Sequence, residues 1–562
     1  MQASNHGARA RHFEPPPRLL ALMIKPLGEL PAMPPALSPL SRETFLTAYG
    51  VDPVAEAAVV AWLKEKKLTF RVDSRRRTVF VLGSDVLLRR AFGAVDEDTQ
   101  GPASTLGVKR LPAELEGAVV AVLGMHTTLA DTDPDAGPGD AANGYGVSGP
   151  AHALRTVEAL RRCYEFPASF GKGQCIGVIE PDGGYVREDV YKALKTLGVS
   201  QRPQITDVII KPELPPLPPE VHNAYADGNN DDPLPQQAYI DQFAAWMRGK
   251  GYWPRAWKKY FEVTMDITLV AALAPEADIQ VFFGDGTAEG FLYMLQHAVL
   301  VAEPRPSVLS ISWSFQERHL LNDASDIAAA HQISELLKAA AMMGVTVCCS
   351  SGDWGATNVD DSFGGPGLDV AFPASSPWAL ACGGTTLLEM AGGKPREVVW
   401  NHDFPEETAE LTPNAHVHGA TGGGYSKLFG APAWQTPEPG APAGRGTPDV
   451  AAVADPRCGV DCQILGNTFP SFGTSASAPI WAGLVAVLNA ELGVNVGCLN
   501  PLLHAASDAE RAAMFTAITE GDNKMNAKAG GFDACPGWNA CTGFGTPRGR
   551  GLLEYLKKLK GA

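Results

Sequence analysis

Four short apolar or β-branched runs, Cys175–Ile179, Ile279–Phe283, Ser307–Ser312 and Val345–Cys349, are set between stretches of helical character. A strand that is apolar without alternation is buried on both faces, and strands separated by crossover segments pair in parallel. This pattern confines residues 151–562 to an α/β body, a mostly parallel, doubly wound sheet with helices on both sides. Gly and Pro are plentiful, 59 and 45, which fits many loops on such a body and counts against a helical bundle. At 562 residues the chain is also too long for one ordinary domain.

The chain before that body has a different texture. Residues 1–37 are Pro-rich without a clear period and read as disordered. Residues 38–126 read as a small α+β unit. Ser41 is placed to cap a helix at Arg42, a helical pattern runs over Val54–Lys66, strand-like runs follow at Leu68–Val72 and Thr78–Leu82, and Asp85–Phe92 is helical before the apolar Ala118–Leu123. Residues 127–150 are acidic, rich in Gly and Pro and aperiodic, the character of an exposed, cleavable linker. Within the large body the pattern loosens between Val208 and Phe261. There Pro212–Pro219 reads as a polyproline arm and Gln236–Arg248 as an amphipathic helix.

The stretch Phe472-Gly473-Thr474-Ser475-Ala476-Ser477-Ala478-Pro479 leads into the apolar run Ile480–Leu488. Proline suits the first turn of a helix, so Ser475 is expected on a tight turn at a helix N-terminus, where unpaired N–H groups favour a developing anion. A plain Ser-rich helix cap would read the same way. None of the 12 His stands in a context that pairs it with this serine, and His416 and His418 lie in a polar loop. Carboxylates are better placed. Glu262 and Asp266 are four apart at the start of an apolar helix and share one face, although a pair answering the helix dipole would look alike. Asp353, in Ser351-Gly352-Asp353-Trp354, follows the Val345–Cys349 strand at its carboxyl end, where open α/β sheets hold their sites.

Charge excludes some partners. The formal charge of −16 falls almost wholly on residues 151–562, and no basic stripe with interleaved aromatics appears, so nucleic acid is not an expected partner. No apolar run approaches the roughly 18 residues of a membrane span, and no membrane partner is expected. Among ten cysteines, the close pairs Cys458/Cys462 and Cys535/Cys541 lack zinc-site spacing, and one or two disulfides are expected. Leu19–Ile24 is short for a signal-peptide core and is broken by Lys25 and Pro26.

The motifs together resemble the sedolisins, the serine-carboxyl peptidases, and within them the kumamolisin-like enzymes. The resemblance covers most of the chain. It runs through Gly173–Glu180, Glu262…Asp266, Ser310-Ile311-Ser312-Trp313, Ser351-Gly352-Asp353, Phe372–Pro377, Thr421-Gly422-Gly423-Gly424, Pro448-Asp449-Val450 and Gly473-Thr474-Ser475. It implies a subtilisin-like sheet and a propeptide at 38–126 that acts as inhibitor and folding aid. It also implies an acid-acting, self-processing endopeptidase, with a tripeptidyl-peptidase of the same family as the alternative and a non-catalytic binding descendant further off. By the same resemblance Ser475 is the nucleophile, Glu262 its base with Asp266 behind it, and Asp353 the oxyanion donor. Glu180 and Trp313 extend that network, while Ser312, Trp313, Ser314, Gly422 and Gly423 line the substrate. Implied partners are protein or peptide substrates and the chain's own propeptide. The enzyme is expected to be a monomer, exported from the cell.

Acid explains the missing histidine. At pH 4, about 2.5 units below the reference histidine pKa, roughly 1 imidazole in 300 is neutral, whereas a glutamate near 4.3 stays partly ionised. Maximal activity is expected well below pH 6. The chain also departs from the family pattern. At the family's calcium site the usual carboxylates are replaced by Ala517 and Asn539. Carbonyls of Ile518, Cys535 and Gly537 with the Asn539 amide would remain as a degenerate set, with Glu520, Asp522 or Asp533 as substitutes, and a Cys535–Cys541 disulfide is a candidate brace. The family's Ser-Trp-Gly-Gly reads Ser312-Trp313-Ser314-Phe315, which is expected to narrow or reshape a subsite. The arm Ile209–Lys259 is longer than relatives need, and would roof the cleft or decorate the surface.

Overall fold

The computed structural model describes residues 18–92, 111–124, 156–210 and 255–561, apart from 36, 285–287, 323, 359–366, 392–393, 404–417, 437–439, 465–466 and 526–529. The linker 127–150, the arm at 212–219, the helix at 236–248 and His416 lie outside the described residues. Two compact units emerge. Of the described residues, the smaller holds 18–25, 51–92 and 111–124, and the larger holds 26–50, 156–210 and 255–561.

The smaller unit is an antiparallel sheet of β1 (Arg18–Ile24), β2 (Thr69–Asp73), β3 (Thr78–Gly83) and β4 (Val119–Gly124), in the order β2-β3-β1-β4. The N-terminal segment expected to be disordered therefore supplies a central strand. Its Leu20, Leu22 and Ile24 have no exposed surface and pack with Val59, Leu63, Val81 and Leu88. The intervening Leu19, Ala21 and Met23 are apolar too, which hides the period of two. Helix α1 (Arg42–Tyr49), capped by Ser41 Oγ accepting from Thr44 N–H at 3.0 Å, groups with the larger unit. Helices α2 (Pro53–Glu65) and α3 (Asp85–Phe92) stay with the smaller one. Asp52 caps α2 and Pro53 occupies its first turn.

The larger unit is built on β5 (Cys175–Glu180), β6 (Ile205–Ile209), β7 (Asp278–Phe283), β8 (Val308–Ile311), β9 (Phe315–Gln316), β10 (Thr346–Ser350), β11 (Ala371–Phe372), β12 (Leu380–Ala391), β13 (Lys394–Val399) and β14 (Val450–Val453). Its main sheet runs β13-β12-β10-β8-β5-β7-β6, with β14 also on β12, and every pair is parallel except β12–β13. β5, β8 and β10 are buried throughout, as strands covered on both faces must be. Helix α4 (Arg255–Leu273) packs against helix α5 (Thr474–Leu492), and Gly483 permits the approach: a Cβ there would lie 2.8 Å from that of Leu273. α5 is long and apolar enough to cross a membrane, yet it is the core helix of this unit, with all but three of its residues buried.

The carboxyl ends of β5, β8 and β10 deliver Glu180, then Ser312-Trp313, then Ser351-Gly352-Asp353 to one edge of the sheet. This is the edge at which parallel α/β sheets hold their sites.

Candidate active site

Helix α5 begins at Thr474, five residues before Pro479, so the proline lies inside the helix and not in its first turn as its sequence context implied. Proline has no N–H to return to the carbonyl four residues back. That carbonyl belongs to Ser475. It accepts instead from Ser312 Oγ at 3.2 Å. The same hydroxyl lies 2.6 Å from Asp266 Oδ2. Ser312, expected to line the substrate, is 6% exposed and turned towards this carboxyl.

On the other side of Ser475, Thr474 N–H and Oγ1 both donate to Asp353 Oδ1, each at 2.7 Å, and Gly352 N–H donates to Thr474 Oγ1 at 3.0 Å. Gly473 precedes them with φ +78, and a Cβ on it would sit 2.4 Å from Asp353 Oδ2. Only glycine satisfies both the left-handed backbone and that approach. Ser475 is thus flanked through short hydrogen-bond chains by Asp353 and by Asp266. Glu262 lies one turn before Asp266 on α4, and Phe261 beside it stacks on Phe472 with centroids 5.1 Å apart.

Glu180 completes a cluster of three acids. It is fully buried and accepts from Trp313 Nε1 at 2.7 Å. Burial pushes its carboxyl well above the usual range, Trp313 opposes this, and the Glu262 charge adds to the rise. Burial likewise raises Asp266, helped by the Glu180 charge and opposed by Ser312. Glu180 Oε1 and Asp266 Oδ1 are buried with no hydrogen-bond partner among the described residues. Burial without a partner favours the protonated form of a carboxyl. The Glu262 charge disfavours ionisation of Glu180, and the Glu180 charge that of Asp266, so the cluster resists carrying a charge on every acid. Such a set can take a proton from a serine through whichever of its members is ionised.

Other expectations fare differently. Gly422 and Gly423 are buried, and close backbone approach explains both: a Cβ would lie 2.0 Å from Ser351 O at the first and from Ala540 O at the second. Ser314 is half-buried. Phe315 does not narrow a subsite, because it is 6% exposed in β9 and meets Phe291 edge-on at 5.6 Å within the core. No two of the ten cysteines are joined, so the expected disulfides, Cys535–Cys541 included, are absent; Cys541 Sγ lies 3.1 Å from Phe532 O and Cys535 Sγ 3.9 Å from Trp538 O. Among the described residues no group of His, Cys, Asp and Glu is arranged to hold a metal. The degenerate calcium set does not fit an ion, since the Asn539 amide donates to the carbonyls of Ile518 and Cys535. The Ser312 bridge is what the sequence reading missed. A proline four residues after the serine was its signal.

No family model matches the chain. Kumamolisin from Bacillus sp. (strain MN-32) is 34% identical over 538 residues, covering 92% of this chain and 86% of that protein. Tripeptidyl-peptidase sed5 from Aspergillus fumigatus is 27% identical over 489 residues, covering 81% and 73%. The solved structure of Pseudomonas sedolisin, a serine-carboxyl proteinase, matches with a TM-score of 0.54 at 23% identity, over 73% of this chain and 98% of that one, a likeness of fold. The chain belongs to the sedolisin family of serine-carboxyl peptidases, among its kumamolisin-like members.

Proposed function

We propose that this peptidase is an acid-acting endopeptidase made as a zymogen, with residues to about 140 removed by its own activity and residues 38–126 serving as inhibitor and folding aid. Ser475 attacks the scissile carbonyl while Glu262 takes its proton. Asp266, sharing a proton with its neighbours, adjusts the basicity of Glu262. Asp353 carries a proton at working pH and donates it as a hydrogen bond to the tetrahedral oxyanion, beside the Ser475 backbone N–H at the α5 N-terminus. Since Thr474 occupies Oδ1, that proton belongs on Oδ2. Glu180 and Trp313 hold the far end of the cluster. The substrate runs past Trp313, Ser314 and the Gly422–Gly423 backbone. Export fits an enzyme that works in acid.

The observation that carries this reading is the continuous chain Asp353–Thr474–Ser475–Ser312–Asp266, which surrounds one serine with acids. Ser475→Ala expressed beside the parent and held at pH 4 tests it. The parent is expected to shed its N-terminal part and the variant to remain full-length. Equal maturation of both would remove Ser475 from the mechanism. Product lengths from an unstructured protein decide the cleavage mode: mixed lengths are expected, and uniform tripeptides would mark a tripeptidyl-peptidase.

A further inference from the structure

The sedolisin family binds calcium. In this chain the corresponding loop, from Ala517 to Thr542, is organised around an amide. Asn539 is 2% exposed and its carboxamide is fully used. Nδ2 donates to the carbonyls of Ile518 at 3.2 Å and Cys535 at 3.1 Å. Oδ1 accepts from the N–H groups of Cys541 at 3.1 Å and Thr542 at 3.0 Å, and from the Thr542 hydroxyl at 3.2 Å. Calcium needs about six to eight oxygens turned inward. Here two carbonyls of that kind already face the positive end of an amide dipole.

The acids that might have replaced the lost ligands are committed elsewhere. Glu520 pairs with Arg396 at 3.2 Å. Asp522 accepts from Asn401 Nδ2 and from Lys524 N–H, both at 2.9 Å. Asp533 pairs with the Lys524 ammonium at 2.5 Å. Lys524 also feels the charge of Asp522, so an ammonium at the loop surface supplies local positive charge. Ala517 contributes no oxygen from its side chain.

We propose that this loop is a metal-free brace, in which the Asn539 carboxamide and the Lys524 ammonium do the structural work of an ion. The brace reaches the active site. Ala356 N–H donates to Asn523 O at 3.0 Å, behind the turn that carries Asp353, and Thr421 Oγ1 donates to Cys541 O at 3.2 Å, beside Gly422. The chain therefore keeps its site in shape without calcium. Asn539→Asp would turn a carboxylate oxygen towards the Ile518 and Cys535 carbonyls, and only a cation or a proton would relieve that opposition.

The test uses the full chain and reads metal content and unfolding instead of peptidase activity. After dialysis against calcium and then buffer at pH 6, elemental analysis is expected to find calcium well below one equivalent. The thermal midpoint is expected to be the same in excess calcium chloride and in chelator. Stoichiometric calcium, or a midpoint that rises with calcium, would overturn the proposal without touching the assignment of Ser475. Asn539→Asp is expected to unfold at a lower temperature in chelator and to regain part of the loss with calcium. A variant as stable as the parent in chelator would show that the amide is not the brace.

Discussion

Replacing Ser312 by alanine removes one hydroxyl on which two groups depend. The Ser475 carbonyl cannot accept from residue 479, because Pro479 lacks an N–H, and it shares the single proton of the Ser312 hydroxyl, 3.2 Å away, with Asp266 in a three-centre bond. Stranding a buried carbonyl costs about 1–3 kcal/mol, so unfolding stability should fall by that amount. The bond to Asp266 at 2.6 Å is the second loss. It opposes the rise that burial imposes on Asp266, so without it Asp266 moves further up. On the proposed mechanism, the acid limb of kcat/KM against pH reports the ionisation of the Glu180–Glu262–Asp266 cluster as a whole. In Ser312→Ala that limb should shift to higher pH, and Ser312→Thr, which keeps the hydroxyl, should restore it. The assay is a pH series with a fluorogenic peptide on matured enzyme. A uniform loss of activity with the acid limb unmoved would refute the reasoning and return Ser312 to the substrate.

Three further outcomes are expected. Burial holds Glu180 and Asp266 well above the carboxylate range and pushes Asp369 up to about 6. Folded pKa values raised above unfolded ones give stability that is complete below about pH 4 and is lost as pH rises through the folded values. The urea midpoint should therefore be higher at pH 4 than at pH 7, and the reverse order would contradict this assignment. Asp353→Asn puts a donor that does not titrate at the oxyanion, so it should lose the basic limb of the pH profile. Asp353→Ala should lower kcat by about 100- to 1000-fold, and an unchanged basic limb in the first variant would remove Asp353 from the oxyanion role. Thiol counting in denaturant without reductant should find all ten cysteines, whereas a count two or more lower would reveal a disulfide.

Much of this molecule is local information. Expected strands at Cys175–Ile179, Ile279–Phe283, Ser307–Ser312 and Val345–Cys349 match β5, β7, β8 and β10 within a residue or two at each end, since a strand buried on both faces declares itself by composition alone. The cap at Ser41 declares itself from its own local sequence, whereas the Asp52 cap came only from the structure. Strand β1 did not declare itself. Its apolar run has no alternation of its own, and it becomes a central strand only because β3 and β4, far along the chain, close on either side of it. Phe315 likewise looked like a cleft residue until its pairing with Phe372 in β11 turned it inward.

The four residues proposed for catalysis were legible as a set, but what ties them together was not. Ser312 stands 46 residues from Asp266 and 163 from Ser475, and the hydroxyl that joins them looks like any serine in the sequence. Asn539 read as a weakened calcium ligand, and the folded loop makes it the group that takes the ion's place. The sequence by itself determined which segments are buried, which acids are available, and that no histidine stands in a sequence context that pairs it with the serine. The tertiary structure alone decided which donors meet which acceptors. Burial follows from a residue's own apolar character and that of its near neighbours, whereas a hydrogen bond or a shared proton exists only once distant segments stand within about 3 Å of each other.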